Sequence, residues 1–341
     1  MPNKFPYEWT LKDGYKTPSS GLKVFGTFIC GGGSTMGYKL AGFEHLGGVE
    51  IDPKIADVYK ANHNPKYLYV EDIREFNKRE DLPKELFNLD LLDGSPPCSS
   101  FSMAGSREKA WGKSKRFREG QAEQTLDDLV FEYVKTIKKL QPKVALLENV
   151  KGLIQGNAKV YAKALKHAFE LAGYAVQVFL LNSASMGVPQ RRERVFFIGL
   201  RNDIKKPLLQ LRFDEPIIVF GKIKPGVMNE EIYRIRPSHK SYIKICKPGK
   251  NLASVHPKGH YFNSQKQSSS KVSPTIVADS GGGIIVHHGG ERYLTWDEYK
   301  QIGSFPMDYN FMGVNPKYLI GMSVPPVMTA QIATKIKEQW F

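Results

Sequence analysis

Seven short apolar runs punctuate the first 200 residues: VFGTFI (24–29), GGVEI (47–51), YLYV (67–70), LDLLD (89–93), KVALLE (143–148), YAVQVFLL (174–181) and RVFFIGL (194–200). Each has the length and composition of a strand, and most are separated by helix-length segments. The clearest separator carries Leu126, Leu129, Val130, Val134, Ile137 and Leu140 at helical spacing and stops at Gln141-Pro142, where proline lacks the N–H that a continuing helix needs. Strand, helix, strand repeated in this way predicts an α/β fold built on a doubly wound, mainly parallel sheet. Such sheets take their ligands at the carboxyl ends of the strands, so the loops after these runs are where chemistry is expected.

The regularity stops after Leu200. Residues 201–290 are rich in Lys, Arg, Pro, Gly, Ser and His, which predicts a second, smaller domain of short strands and long loops. Its basic residues, among them Arg234, Arg236, Lys240, Lys244, Lys247 and Lys250, are interleaved with Tyr233, Tyr242, Tyr261 and Phe262. Alone, such a run also fits a solvated loop region; beside a catalytic domain it fits a surface that faces a polyanion. The chain holds 49 Lys and Arg against 34 Asp and Glu, a formal charge of +15, which points to nucleic acid or an anionic membrane surface. No run of about 20 apolar residues could span a bilayer, and the polar start MPNKFPYEWTLKDGYK lacks the apolar stretch of a secretory signal. A cytoplasmic protein is expected. Cys30, Cys98 and Cys246 are odd in number and far apart, so neither a disulfide framework nor a paired zinc motif is available, and no metal is expected.

Three loops stand out. CGGGSTMG (30–37) follows the first run as a glycine turn opening a helix, although Met36 breaks the GxGxxG dinucleotide pattern. Glu50 ends the second run, 18 residues after Gly32, where doubly wound folds place an acid that accepts hydrogen bonds from ribose hydroxyls. Ile51 could pack on an adenine face and Asp72 could accept its amino group. Each acid alone fits a solvated carboxylate equally well; together they indicate a nucleoside-bearing cofactor without saying which. In DGSPPCSSFS (93–102) two prolines stiffen the chain just where Cys98 is presented, and small hydroxyl neighbours argue against a buried structural thiol. Glu148 ends the fifth run on the same sheet edge. In VPQRRERVFFIG (188–199), Arg192 and Arg194 share one face of an extended segment, so both could reach one anion or base.

In chain order, Phe28 to Gly33 with AGF (41–43), Glu50, Asp72, SPPCSSFSMAG, ENV, QRRER, RYLTWDEYKQIGSFP (292–306) and LIGMSVPP (319–326) resemble the motifs of the DNA (cytosine-5)-methyltransferase family, of the bacterial and phage restriction-modification type. The resemblance implies a Rossmann-like methyltransferase domain of residues 1–203 and 308–341, with a target-recognition domain of residues 204–307. It implies S-adenosyl-L-methionine as cofactor and S-adenosyl-L-homocysteine as product, held by Phe28, Gly31, Gly32, Gly33, Glu50, Ile51, Asp72, Ile73, Pro96 and Ser323. Cys98, Glu148, Arg192 and Arg194 become the catalytic residues: Cys98 adds to C6 of a flipped cytosine, Glu148 holds N3 and the exocyclic amine, and Arg192 helps on the pyrimidine oxygen. Double-stranded DNA becomes the partner, contacted through Ser99, Ser100, Arg107, Lys109, Arg234, Arg236 and Thr275. A monomer is expected; a cognate restriction endonuclease acting separately and an orphan enzyme without one both stay open.

The chain departs from the family pattern at Cys30, where a glycine is usual, at Ser99, where glutamine is common, at Gly303-Ser304, where Gln-Gly is usual, and at Met322, where asparagine is usual. Other readings stay open at this point. They are a cytosine-5 methyltransferase acting on tRNA, an inactive homologue that regulates a partner, and an NAD-dependent oxidoreductase, which the failed GxGxxG disfavours.

Overall fold

The computed structural model describes residues 3–97, 128–156, 158–226, 233–278 and 285–341. Seven strands form one sheet in the order β3-β2-β1-β4-β5-β7-β6. They are β1 (Lys23–Thr27), β2 (Glu44–Glu50), β3 (Tyr67–Val70), β4 (Leu91–Gly94), β5 (Val144–Val150), β6 (Tyr174–Asn182) and β7 (Glu193–Arg201). Each of the seven overlaps one of the apolar runs of the sequence. Strands β1 to β5 pair in parallel, while β7 runs antiparallel to both β5 and β6.

Two-residue alternation divides the side chains of the central strands between two cores. Val24, Leu91, Val144, Leu146 and Phe196 face one side, where α1 (Gly33–Leu40), α2 (Pro53–His63) and the C-terminal helix pack. Phe25, Leu92, Ala145, Leu147 and Phe197 face the other, covered by α3 (Ile73–Lys78), α4 (Leu129–Leu140) and α5 (Ala158–Leu171). Helices on both faces make the sheet doubly wound. Helix α4 ends where its sequence demands: Gln141 turns left-handed at φ 48° and Pro142 follows.

Strand β1 is shorter than its apolar run. Phe28 and Cys30 take left-handed backbone at φ 56° and 46°, so the chain leaves the sheet at Thr27 and the turn begins two residues earlier than the hydrophobicity indicates.

Beyond β7 lie α6 (Pro237–Ile245), the parallel pair β8 (Gln265–Lys266) and β9 (Ile285–Val286), and α7 (Trp296–Ile302), α8 (Pro316–Met322) and α9 (Pro326–Trp340). A small third core gathers Ile243, Cys246, Leu252, Val286 and Tyr293. Leu209, Phe220, Ile223, Ile276, Leu294 and Ile302 instead join the first large core, so much of the chain on either side of this loop-rich region is built into the main body. A capping box between Thr295 and Glu298 starts α7, and Arg292 pairs with the buried Glu298 at 2.7 Å. Among the described residues no helix is long and apolar enough to cross a membrane.

Candidate active site

A cavity of about 1080 Å³ opens at the carboxyl ends of β1, β2, β4 and β5. That exceeds the volume of about 300–1,000 Å³ typical of a small-molecule site. Phe28, Ile51 and Ile73 form apolar walls at one end, with Gly33, Glu50 and Asp72 beside them; Pro96, Glu148, Arg192, Arg194, Thr275 and Ser323 line the rest.

At the first end, the Glu50 carboxylate joins two turns. Its Oε2 accepts the Cys30 N–H at 2.9 Å and its Oε1 the Asp52 N–H at 3.0 Å. Burial raises the Glu50 pKa, and the backbone N–H groups of Asp52 and Cys30 oppose the rise. Asp72 caps α3, accepting the Arg74 N–H at 2.8 Å and pairing with the Arg74 guanidinium at 3.1 Å. A carboxylate has about four acceptor sites, which leaves capacity for a ligand.

Gly31 and Gly32 do not line the cavity, and packing explains why neither carries a side chain. A Cβ on Gly31 would sit 2.1 Å from Leu319 Cδ2; one on Gly32, at φ +73°, would sit 2.1 Å from His63 Nε2. The turn is anchored from below by Tyr309, whose hydroxyl donates to the Gly31 carbonyl at 2.6 Å, and by His63 Nε2 at 3.4 Å from the same oxygen. Burial pushes the His63 pKa down to about 3, so the ring is neutral.

At the other end, Glu148 and Arg194 form an ion pair, Nε to Oε1 2.9 Å, with both side chains largely buried. Register explains the meeting: Glu148 is opposite Phe196 and Val150 opposite Arg194 on the antiparallel β5–β7 pair. Arg192 enters the same cavity but donates to the Ile276 carbonyl at 3.3 Å and the Gly321 carbonyl at 3.0 Å. It therefore ties the chain at 276 to the end of α8, while Arg194 alone engages Glu148. Burial and the neighbouring Arg194 lower the Arg192 pKa, and Glu148 opposes them. Thr275 donates to the Arg191 carbonyl at 2.8 Å and Ser323 to the Leu319 carbonyl at 2.9 Å.

Asn149, the residue after Glu148, has a role that the sequence alone does not assign. Its amide donates to the Pro96 carbonyl at 3.1 Å and its oxygen accepts the Val150 N–H at 2.8 Å. The loop after β4 is thereby tied to the residue beside Glu148. Cys98, Ser99, Ser100, Arg107 and Lys109 lie outside the described residues. Arg234 and Arg236 are exposed on the loop-rich region and do not line the cavity. Asp93 and Asn263 line it although nothing in the sequence patterns singles them out, and Phe262, one of the aromatic residues of the basic stretch, lines it too.

Residues 22–338 match the family described as C-5 cytosine-specific DNA methylase. The chain belongs to that family. It is 33% identical over 362 residues to the Type II methyltransferase M.NgoPII of Neisseria gonorrhoeae, covering 96% of this chain and 99% of that one. Identity to the Type II methyltransferase M1.HphI of Haemophilus parahaemolyticus is 28% over 339 residues, covering 92% and 86%. A solved structure described as S. pombe Dnmt2 methyltransferase superposes with a TM-score of 0.64 at 15% identity, covering 94% of this chain and 99% of that one, a likeness of fold.

The methylase's cofactor is S-adenosyl-L-methionine, which supplies the methyl group. The residues present fit it: apolar walls at Phe28, Ile51 and Ile73 suit an adenine, the Glu50 carboxylate suits a ribose, and Asp93 gives the cavity a further acid. Among the described residues no cluster of His, Cys, Asp and Glu could hold a metal ion.

Proposed function

We propose that this methylase transfers a methyl group to C5 of a cytosine flipped out of a short duplex DNA sequence, through a transient bond between Cys98 and C6. The observation that carries the reading is the Glu148–Arg194 pair in the cavity, tied through Asn149 to Pro96, two residues ahead of Cys98. In this reading the thiolate adds to C6, and Glu148 shares a proton with N3 as the ring gains electron density. Carbon C5 then takes the methyl group, loses its proton to solvent, and the thiolate leaves to restore the ring. Arg194 holds the Glu148 carboxyl and offers a donor toward the pyrimidine oxygen. Arg192 is a positioning residue, fixing the two backbone segments that wall the cavity. A base inside a duplex cannot meet a buried carboxyl, so the cytosine must leave the stack, at a cost of a few kcal/mol.

Bisulfite sequencing of DNA from cells expressing the wild type, Cys98→Ser or Glu148→Gln tests this. Methylated cytosines in one short context, absent with Cys98→Ser and reduced about 10²-fold or more in rate with Glu148→Gln, are expected. Unmethylated DNA in all three, at full expression, would move the substrate to RNA or the chain to a regulatory role.

A further inference from the structure

The strand leading to the Cys98 loop carries a polar side chain to which the reaction above gives no task. Asp93 of β4 is 4% exposed yet lines the cavity. Tyr38 of α1 donates its hydroxyl to Oδ1 at 3.1 Å, and Ser34 in the first turn of α1 hydrogen-bonds the same carboxyl group. Among the described residues, the other titratable groups that sense it are Tyr59 of α2, Tyr133 of α4 and Glu148 of β5. None of these is a cation. Burial pushes the Asp93 pKa up to about 7, against the hydrogen bond from Tyr38, and Glu148 adds to the rise.

A carboxylate desolvated to this degree is strongly disfavoured unless a positive group compensates it. Here the cavity is the side from which such a group can arrive. We propose that Asp93 is the counter-ion for the ammonium group at the amino-acid end of S-adenosyl-L-methionine, an inference that rests on reading the cavity as the cofactor site. An ammonium brings N–H donors for a carboxylate to accept, which a sulfonium lacks. The complementary charge has a place beside it: among the described residues no side chain caps the first turn of α1, so its backbone N–H groups, at the positive end of the helix, suit the amino acid's carboxylate. Ser34 sits at the junction of the two.

Calorimetric titration with S-adenosyl-L-homocysteine and with 5′-methylthioadenosine, which keeps the nucleoside and sulfur but lacks the amino-acid end, tests this. In the wild type, homocysteine-ligand affinity is expected to rise as pH passes through about 7, while methylthioadenosine affinity stays flat. Asp93→Asn keeps an acceptor for Tyr38 and removes the charge. It is expected to weaken the first ligand about tenfold or more, abolish its pH dependence near neutrality, and leave the second within about twofold. Equal loss for both ligands, or none for either, would overturn the assignment, as would identical wild-type pH profiles for the two. A wild type that binds neither ligand would instead sink the cofactor-site reading itself.

Discussion

Single residues around the glycine turn act on stability with opposite signs. Burial raises Asp93 to about 7, so between about pH 4 and that value the folded chain keeps a proton that the unfolded chain has released. Its contribution to stability is lost as pH rises through this window. Burial lowers His63 to about 3, so between there and about pH 6.5 the unfolded chain takes up a proton that the native ring refuses. Its contribution is lost as pH falls, and His45, lowered for the same reason, acts alike. The trends offset one another in the wild type. Asp93→Asn is expected to steepen the rise of stability with pH across this range, and His63→Leu to flatten it, in urea unfolding. One slope for all three proteins would contradict the burial of both groups. Glu148 and Arg194 were legible beforehand because they stand at strand ends, where doubly wound sheets expose side chains to ligand. Asp93 was not, because it closes an apolar run; only the alternation that sends Leu91 toward α1 and Leu92 toward α4 carries it onto the α1 face with Tyr38.

Between elements, the strands were readable from apolar runs but the direction of β7 was not. A run such as RVFFIGL is buried on both faces whether its neighbours are parallel or antiparallel. The short connection from Asn182 to Glu193 decides it, since about a dozen or more residues are needed to cross back for a parallel pairing. That antiparallel insertion is what brings Arg194 to Glu148. The link from β5 to the loop after β4 is equally invisible in sequence, because it is a side chain meeting a carbonyl 53 positions away. Asn149→Asp keeps the shape and the bond from Val150 but replaces a donor with an acceptor facing the Pro96 carbonyl. Leaving that buried carbonyl unpaired costs about 1–3 kcal/mol. We expect a lowered melting temperature and a fall in kcat, because the bond holds Pro96, which lines the cavity two positions before Cys98 in the sequence. A variant with full kcat would show that the bond does not set the loop for catalysis.

For the molecule as a whole, charge is distributed as unevenly as the cores. Residues 233–293 hold ten Lys and Arg against two Asp and Glu, a net +8 of the chain's +15. This stretch also contains the small third core, while the chain before and after it is packed into the main body. The sequence signalled the region by its loss of periodicity, yet composition could not mark its edges, since Leu209, Phe220 and Ile223 belong to the main core despite lying in the loop-rich stretch. A positive stretch of this kind suits a duplex, and binding that neutralises phosphates releases counterions, giving a slope of about −0.9 in log K against log salt for each phosphate contacted. Arg234, Arg236, Lys240, Lys244, Lys247 and Lys250 are all exposed there. Replacing them together with glutamine should make the salt slope shallower by about 0.9 for each residue that touches a phosphate, measured by fluorescence anisotropy on labelled duplex between low and physiological salt. S-adenosyl-L-homocysteine affinity should not change, because none of the six lines the cavity. An unaltered slope would mean that these cations face solvent and that the duplex is gripped elsewhere; a matching loss of cofactor-site affinity would mean that the lobe is coupled to the catalytic body and not merely attached to it.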